Sequence, residues 1–343
     1  MIPRGCLSEP SNHLQSAEKE MKFSVIIATY NRAEELGKTL ESLKKLESSD
    51  PWEVIIVDNN SPDNTREVVL QAVETFPVPL RYVSEKEQGR SAALNAGIRA
   101  SAGKILAITD DDVRVDPHWL VNADRALQTL KCDYVGGKAL PIWSGKLPDW
   151  MPNRGGKHWG VIALLDYGRE PAEFGEHKVP LGVNIVFRRE CFERAGLWDN
   201  NIGRKAGTLL GQEVREWSQR GRAAGLRGFY SPDLIVHHVI PEDRLTKKYF
   251  RKWFYWHGIS RAILYQSNGL DMESPERTTL DFSKVPHIAG VPRYLFRTCI
   301  KKFFSIWSAL VRRDAIARFE DELWIWFFAG VLRQRWKDRQ KAT

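Results

Sequence analysis

The chain has 343 residues, of which 43% are hydrophobic and 27% charged, so it can bury one large core or one core with a smaller appended piece. This composition excludes a disordered or repetitive protein. The formal charge at pH 7 is +8, and residues 244–343 hold 20 Lys and Arg against 9 Asp and Glu, so the positive charge lies in this tail. A basic tail can bind nucleic acid or acidic lipid head groups.

Hydropathy and cysteine usage indicate the cellular compartment in which the protein is expected to work. The longest apolar run, residues 323–332, is well short of the roughly eighteen residues of a membrane-spanning helix. The four cysteines are far apart, form no CxxC pair and accompany no secretory signal, which argues against a disulfide framework and against a zinc site. We therefore expect a protein of the reducing cytoplasm, either soluble or on a membrane surface. The cysteines are Cys6, Cys132, Cys191 and Cys299.

Apolar strands alternate with amphipathic helices after a polar beginning. Residues 1–20 show no hydrophobic period, so we expect a disordered extension that the protein does not need for folding or activity. The pattern then predicts strands at residues 23–29, 53–57, 80–84 and 104–109, and helices at residues 33–46, 63–75 and 90–100. This alternation predicts an α/β fold with a doubly wound, mostly parallel sheet.

Polar and acidic residues follow three of the predicted strands, at residues 29–32, 58–61 and 110–112. In a doubly wound sheet the ligand lies beyond the carboxyl ends of the strands, so we expect these side chains to converge on one site. A glycine-rich phosphate loop is absent after the first strand. Its absence argues against a dinucleotide oxidoreductase and against a P-loop enzyme.

The triplet Asp110, Asp111 and Asp112 places three carboxylates at one strand end, where they repel one another unless a cation or hydrogen-bond donors compensate. A divalent ion held by one or two carboxylates would leave coordination places for substrate phosphates. The alternative is a solvated turn or a helix N-cap ahead of Pro117. Its position after an apolar strand favours the metal, with Asp112 as the first-choice ligand and Asp110 or Asp111 in contact with a ribose.

Four segments, together with Pro117, resemble the GT-A fold transferases of glycosyltransferase family 2 in sequence, order and spacing. They are residues 25–32, 55–61, 89–97 and 109–113. The resemblance implies an inverting enzyme of the bacterial polysaccharide or cell-envelope type, with the Asp triplet as its DxD-type site. It also implies a catalytic domain at residues 21–243, whose donor-binding half is residues 21–138 and whose acceptor half is residues 139–243.

The same resemblance implies roles for five further residues on the donor side. Ala28 and Tyr30 would line the nucleotide base pocket, and Asp58 would bond the base. Arg90 and Asn95 would lie near the donor. The alternatives are that Tyr30 is a rim packing residue, that Asp58 caps a turn and that Asn95 shapes a helix end.

An amphipathic helix predicted to begin near residue 209 carries the candidate general base. In the family a Gly-Glu-Asp or Gly-Glu-Glu triplet occupies this place, and its last carboxylate is the base; here that residue is Glu213, preceded by Gln212 where the family has an acid. One carboxylate suffices for an inverting transfer, because the acceptor oxygen loses its proton as it attacks the anomeric carbon. Glu216, one turn further on, is the alternative base, and a solvated helix face is the non-catalytic alternative for Glu213.

Residues 230–238 form a predicted strand that ends in two histidines. By resemblance, one histidine completes the metal site in related enzymes, and His238 fits this place better than His237. Neutral imidazole suits Mn²⁺ beside carboxylates, although an ordinary core or surface histidine is the alternative. The expected cofactor is therefore Mn²⁺ or Mg²⁺.

Residues 244–343 are expected to form a basic, aromatic helical tail. Its first part resembles the family's segment over the acceptor cleft, where Arg251 and Trp253 are candidate acceptor contacts, with core packing as the alternative for the aromatic residues. Two further helices, at residues 292–312 and 315–335, carry Trp307, Trp324 and Trp326 with basic margins. They suit either a membrane interface or a packed helical hairpin. We expect peripheral association with the inner face of the plasma membrane, since anionic lipid attracts the tail.

The sequence thus predicts a glycosyltransferase with a nucleotide-sugar donor and a lipid-linked or polysaccharide acceptor. A nucleic-acid-binding protein is the non-enzymatic alternative, but it does not explain the strand-end acids. A sugar-1-phosphate nucleotidyltransferase is the enzymatic alternative, but it should carry a glycine-rich, basic loop after the first strand.

Overall fold

The computed structural model of the chain describes residues 20–151, 158–175, 178–268 and 285–342. The first half is a parallel α/β layer, as the sequence predicts. Its strands lie in the spatial order β3, β2, β1, β4 and are all parallel. The elements are β1 (Phe23–Thr29), α1 (Ala33–Leu43), β2 (Trp52–Asp58), α2 (Thr65–Val73), β3 (Leu80–Ser84), α3 (Arg90–Ala100) and β4 (Ile105–Asp110).

The second half extends the same sheet with mixed strand directions. After β4 the order continues β8, β6, β9, β5, with β7 paired to β9, which makes nine strands in this sheet among the described residues. Strand β8 is antiparallel to both β4 and β6, whereas β9 is parallel to β6. The elements are β5 (Val113–Val115), α4 (Trp119–Thr129), β6 (Tyr134–Trp143), β7 (Ala172–Glu173), β8 (Asn184–Arg188), α5 (Glu190–Ala195), α6 (Glu213–Ala223) and β9 (Gly228–Ile240).

The sheet separates two hydrophobic cores. Along β1, Val25 and Ile27 face one core while Ile26 faces the other, because successive side chains of a strand point to opposite faces. Both faces of β1 and β2 are buried, which is why these strands read as continuous Val and Ile runs. Helix α3 lies close to the second face: a Cβ added at Gly97 would stand 2.5 Å from Ile26 Cγ2. This close packing fixes the helix whose first residue is Arg90.

Three long helices follow the sheet: α7 (Lys247–Asn268), α8 (Arg293–Val311) and α9 (Ala315–Ala342). Two short strands, β10 (His287–Ile288) and β11 (Val291–Pro292), pair with each other before α8. Helices α7 and α9 cross with their backbones in contact, because an added Cβ at Gly258 would meet the carbonyl oxygen of Phe327, and one at Gly330 would meet that of Tyr255. No helix of the described residues is long and apolar enough to span a membrane.

The tail is packed against the second half of the sheet. Phe250 of α7 and Phe319 of α9 share one buried cluster with Trp159 and with Ile240 at the end of β9. The two helices predicted after residue 291 are present as α8 and α9, and Leu295 of α8 shares a buried cluster with Phe327 of α9, as the packed-hairpin alternative requires. Helix α8 packs only one side, through Leu295 and Ala309. Of the predicted extension at residues 1–20, only Glu20 is among the described residues.

Candidate functional site

A cavity of about 1010 Å³ lies between the carboxyl ends of the parallel strands and helices α6, α7 and α9. Its volume is at the upper end of the range for small-molecule sites, so it has room for more than one ligand. It gathers most of the residues that the sequence singled out. These are Ala28, Tyr30, Arg90, Asp110, Asp111, Asp112, Glu213, His238 and Trp253.

Three basic side chains of the site lie close to the carboxylate of Asp112. Arg32 Nη1 lies 2.5 Å from its Oδ2, Arg244 Nη2 lies 3.4 Å from the same oxygen, and His238 Nε2 lies 3.1 Å from Oδ1. Burial alone would raise the pKa of Asp112, but His238, Arg32 and Arg244 hold it well below its usual range. Asp112 is therefore an ionised carboxylate inside the protein.

Strand pairing explains why His238 meets Asp112. Strand β5 is antiparallel to β9, and Val113 is paired with His238 in the register. The residue before Val113 therefore lies beside the imidazole, although the two are distant in sequence. The family resemblance suggested that Asp112 and His238 lie together, and the pairing of β5 with β9 brings them together in the structure.

Asp111 plays a different part from its neighbour. Its Oδ2 accepts a hydrogen bond from Thr29 Oγ1 at 2.7 Å, and its Oδ1 accepts one from Arg32 at 3.0 Å. Thr39 of α1 donates to its backbone carbonyl oxygen at 2.7 Å. Burial raises the pKa of Asp111 to about 6, with Arg32 opposing the shift. Asp111 thus ties β1 and α1 to the strand end, with both carboxylate oxygens already engaged.

Asp112 and His238 fit a divalent ion that is partly held by its substrate. Oδ1 of Asp112 is buried and accepts no hydrogen bond of good geometry within the described chain, and Nδ1 of His238 also lacks a partner there. Among the described residues no three or more His, Cys, Asp or Glu side chains form a complete metal cluster. Such an ion therefore needs further ligands from outside the protein, which is how Mg²⁺ and related ions bind with substrate phosphates.

Arg90 joins the acidic strand end to α6. Its Nη2 donates to Asp110 Oδ1 at 2.6 Å and to the carbonyl oxygen of Gly182 at 3.0 Å, while its Nη1 lies 3.3 Å from Glu213 Oε1. Burial would lower the pKa of Arg90, but the carboxylates of Asp110 and Glu213 raise it above its usual value. A single guanidinium thus sets the spacing between these two carboxylates.

Of the two carboxylates considered as general base, the structure brings only Glu213 to the cavity. Glu213 is the first residue of α6, directly after Gln212, whose φ of 81° turns the chain. Glu216 is buried one turn further on, where it pairs with Arg220 at 2.6 Å and 2.9 Å. Residues three apart lie on roughly the same face of a helix, so the ion pair with Arg220, rather than the helical period, accounts for the position of Glu216 outside the cavity.

Three other candidate residues do not line the cavity, since protein partners hold their side chains elsewhere. Asp58 accepts the Ser61 amide at 2.9 Å and the Tyr82 hydroxyl at 2.8 Å, as in the turn-capping alternative. Asn95 is buried and donates to the Trp198 carbonyl oxygen at 2.9 Å, which ties α3 to the loop after α5. Arg251 pairs with Glu322 at 2.6 Å and holds α7 to α9. The donor and acceptor contacts expected for these three remain predictions.

Several cavity residues were not singled out from the sequence as site residues: Arg32, Arg215, Arg244, His257 and Arg261. Arg32 belongs to the polar segment that follows β1, so its position offered a signal. The others lie on or beside amphipathic helices, where basic residues usually face solvent. Only the packing of α6 and α7 against the sheet turns them inward.

Comparison with known proteins identifies the family. The model described as Glycosyl transferase family 2 matches residues 24–196, which is half of the chain and includes β1 to β4 with the Asp triplet. The chain belongs to glycosyl transferase family 2. It is therefore a glycosyltransferase, and the nucleic-acid-binding and nucleotidyltransferase alternatives are not supported.

Two relatives of this family 2 glycosyltransferase come from Haloferax volcanii. Glycosyltransferase AglE is 28% identical over 230 residues, which cover 66% of this chain and 70% of the relative. A protein named glucosyl-dolichyl phosphate glucuronosyltransferase is 27% identical over 257 residues, which cover 71% of this chain and 77% of the relative. Both matches extend over more than half of each chain, so the likeness is not confined to the strand-end motifs.

A solved structure shares the fold. The mannosyltransferase PcManGT from Pyrobaculum calidifontis, solved in complex with GDP-Man and Mn²⁺, superposes with a TM-score of 0.62 and is 20% identical. The superposition covers 93% of this chain and 88% of that one, so it includes the helical tail. The predicted GT-A fold with a C-terminal helical part is confirmed.

Proposed function

We propose that this glycosyltransferase moves a sugar, with inversion at the anomeric carbon, from a nucleotide-sugar donor to an acceptor hydroxyl. Asp112 and His238 would hold a divalent ion, and Glu213 would act as general base. The observation that carries the proposal is the double contact of Arg90 with Asp110 and Glu213. This contact supports the proposal, because one guanidinium holds both the strand-end carboxylate and the candidate base in the same cavity.

The donor would lie along the strand ends. Ala28 and Tyr30 line this part of the cavity and would hold the base. Asp110 is better placed than Asp111 to bond the ribose, because both carboxylate oxygens of Asp111 are engaged while Asp110 is only partly buried. Mn²⁺ is the favoured ion, since the superposed mannosyltransferase was solved with GDP-Man and Mn²⁺.

The transfer needs one base and no covalent enzyme intermediate. The acceptor oxygen would form a bond to the anomeric carbon while the bond to the diphosphate breaks, and the bonding electrons would leave with the diphosphate. Glu213 would take the acceptor proton, and Arg90 would orient its carboxylate. A bound divalent ion would stabilise the negative charge on the departing diphosphate.

A donor screen tests this proposal. The full chain is incubated with UDP-, GDP- and dTDP-sugars, and we expect slow hydrolysis of one donor class that Mn²⁺ stimulates and a chelator abolishes. Proton NMR of the first product should show an anomeric configuration opposite to that of the donor. A retained configuration would exclude the inverting mechanism, and turnover at full rate in chelator would exclude the metal.

We also propose a lipid-linked acceptor presented at the inner face of the plasma membrane. The relative named glucosyl-dolichyl phosphate glucuronosyltransferase supports a lipid-linked acceptor. Helix α8 supplies a membrane-facing surface, because large apolar residues project from it into solvent beside exposed basic residues. The exposed apolar side chains are Ile300, Phe303, Phe304, Trp307, Leu310 and Val311, and the exposed basic ones include Arg297, Lys301, Arg312 and Arg313.

Aromatic and basic side chains on one exposed helix suit the surface of an anionic bilayer, where apolar burial and charge attraction act together. The tail's +11 formal charge strengthens this attraction. Of the tail tryptophans, Trp307 lies on this surface, whereas Trp324 packs on Phe327 and lines the cavity. We therefore assign the proposed membrane surface chiefly to α8, with Trp326 and Trp336 as the exposed tryptophans of α9.

Vesicle co-sedimentation tests this part. The full chain should sediment with anionic vesicles at low salt, and Phe304→Ser with Trp307→Ser should weaken binding roughly tenfold or more, given about 1.5–3 kcal/mol for each buried aromatic side chain. Leu70→Ser, which removes an exposed apolar residue of α2, is the matched control. Failure of the intact protein to bind would favour a soluble polysaccharide acceptor.

A further inference from the structure

Two groups of charged residues line the cavity. The strand ends present Asp110, Asp111 and Asp112, with Glu213 at the near end of α6, and arginines pair with all four carboxylates. The second group, which we call the basic wall, is formed by Arg215 of α6 and by His257 and Arg261 of α7. Neither the base nor the expected metal ligands account for this second surface.

The basic wall is a connected electrostatic unit. Burial, together with the positive charges of Arg261 and Arg215, holds the pKa of His257 well below its usual value. The imidazole is therefore neutral at physiological pH, and the charge of the wall resides on the two guanidinium groups. Arg261 is only 4% exposed, and burial also lowers the pKa of Arg215, with Arg222 adding to the shift. Each guanidinium lines the cavity and carries several N–H donors, so it can bind an oxyanion of a ligand in addition to its contacts within the protein.

Aromatic side chains adjoin the basic wall. Trp253 stacks on His257 with ring centroids 4.6 Å apart and planes 16° apart. Phe254 of α7 and Trp324 and Phe327 of α9 line the cavity beside them. A ligand here meets planar cations and an apolar surface together, so an oxyanion attached to an apolar or sugar moiety matches the wall better than a free ion.

The basic wall is separate from the expected metal site and begins close to the proposed base. The donor's phosphates require a counter-ion at the strand ends, where Asp112 and His238 fit a divalent ion. Arg215 follows Glu213 by two residues on α6, and both line the cavity. An acceptor anchored on Arg215 and Arg261 could therefore extend its hydroxyl toward Glu213.

We propose that Arg215 and Arg261 bind a phosphate group of the acceptor, with Trp253 and its aromatic neighbours against the adjoining part of that molecule. The inference rests on the proposed function, since it takes this cavity as the transfer site. It goes further by naming a phosphate-bearing acceptor and the residues that select it. The phosphate could belong to a prenyl-phosphate-linked sugar or to a soluble sugar phosphate, whose sugar carries the acceptor hydroxyl. The test separates these two sources, with farnesyl phosphate and inorganic phosphate as the probes of the phosphate site.

The experiment measures ligand binding to the full chain through tryptophan fluorescence, because Trp253 and Trp324 line the pocket. The probes are farnesyl phosphate, farnesol and inorganic phosphate. We expect farnesyl phosphate to bind at least roughly tenfold more tightly than farnesol, as a charge-assisted hydrogen bond predicts. Weaker binding of inorganic phosphate than of farnesyl phosphate would identify a prenyl phosphate as the source, and equal binding would identify a soluble phosphate.

Substitutions of Arg215 and Arg261 test whether farnesyl phosphate binds at the basic wall. Arg215→Gln and Arg261→Gln should each weaken farnesyl phosphate binding about tenfold or more, and Arg261→Lys should restore part of it. Arg227→Gln removes an exposed arginine paired with Glu173 and is the matched control, expected to bind like the wild type. If Arg261→Gln does not fold, Arg215→Gln and Arg261→Lys carry the test.

Nucleotide binding distinguishes failure of this inference from failure of the proposed function. UDP and GDP with Mn²⁺ should bind the arginine variants as they bind the wild type. Equal loss of nucleotide and farnesyl phosphate would make the wall part of the donor site, and unchanged farnesyl phosphate binding in both variants would also overturn the inference. A wild type that binds neither nucleotide would instead contradict the proposed function, whatever the prenyl phosphate result.

Discussion

The acidic strand ends and the basic wall line the same cavity, yet they are built in different ways. Asp110, Asp111 and Asp112 are adjacent in the chain, and side-chain ion pairs with Arg90, Arg32 and Arg244 hold them. The basic wall gathers residues from α6 and α7, and its position depends on the backbone contact of α7 with α9. One wall is therefore fixed by local electrostatics and the other by helix packing, so different substitutions should disrupt them.

Removal of charge at the strand ends should have the largest effect on activity. Asp112→Asn keeps the shape of the side chain but deprives the expected ion of its carboxylate, so transfer should fall about a thousandfold, for a loss of roughly 4 kcal/mol of transition-state stabilisation. Initial rates and nucleotide titrations with Mn²⁺ measure it. Asp116→Asn, which alters a carboxylate that caps the turn at His118, is the control. Wild-type turnover by Asp112→Asn would remove Asp112 from the metal site.

Removal of the base should affect the chemical step without affecting donor binding. Glu213→Gln should bind the nucleotide sugar normally and transfer sugar about a hundredfold to ten-thousandfold more slowly. The comparison is Glu216→Gln, on the same helix but paired with Arg220 away from the cavity. Single-turnover rates at saturating donor distinguish them. A slow Glu216→Gln beside a normal Glu213→Gln would move the base by one turn.

A change in helix packing should disturb the basic wall and leave the strand ends intact. Gly258→Ala would push a methyl group against the Phe327 carbonyl oxygen, so α7 and α9 must separate, at a cost of about 1–3 kcal/mol in the free energy of unfolding. Gly37→Ala in α1, whose nearest neighbour is 3.8 Å away, should be neutral or slightly stabilising. Urea unfolding measures the stability. In Gly258→Ala the binding of farnesyl phosphate should change, and the binding of nucleotide should not.

The pH dependence of stability should report on His257 with a smaller effect. Its pKa is lower in the folded protein than in the unfolded chain, where it is about 6.5, so the unfolded state takes up a proton first as the pH falls. The stability due to neutral His257 is present above pH 6.5 and is lost below it, at up to about 1.4 kcal/mol per pH unit. The difference between wild type and His257→Gln in urea unfolding should therefore shrink from pH 7.5 to pH 5.5. A difference that does not vary with pH would place His257 in a different electrostatic environment.

The parallel half and its strand ends could be predicted because their signals are local. Continuous apolar runs mark β1 to β4, and the predicted limits of these strands agree with the structure to within one residue. The carboxyl ends of parallel strands share one edge, so Tyr30 and Asp110 could be placed on one site before their contacts were known. The family resemblance added Glu213 and His238, and the structure places both on the cavity.

The rest depends on pairings between distant residues that no local pattern encodes. Arg32 follows β1 and Arg244 follows β9, and both pair with Asp112. Neither pairing follows from the spacing of these residues in the sequence. Arg251 and Arg261 both lie on α7, but the first pairs with Glu322 while the second lines the cavity. The period of an amphipathic helix shows that it has two faces, and only tertiary packing determines which face is covered.

The crossing of α7 and α9 at Gly258 and Gly330 has a consequence for how acceptor choice can change. Backbone rests on backbone there, so the spacing of the two helices does not depend on any side-chain rotamer. We therefore expect replacements one or two turns away, such as at Trp253 and Trp324, to leave the spacing of α7 and α9 unchanged. Because the crossing itself stays fixed, the side chains that line the cavity near it can be exchanged, so new acceptors could be accommodated without changes to the donor site.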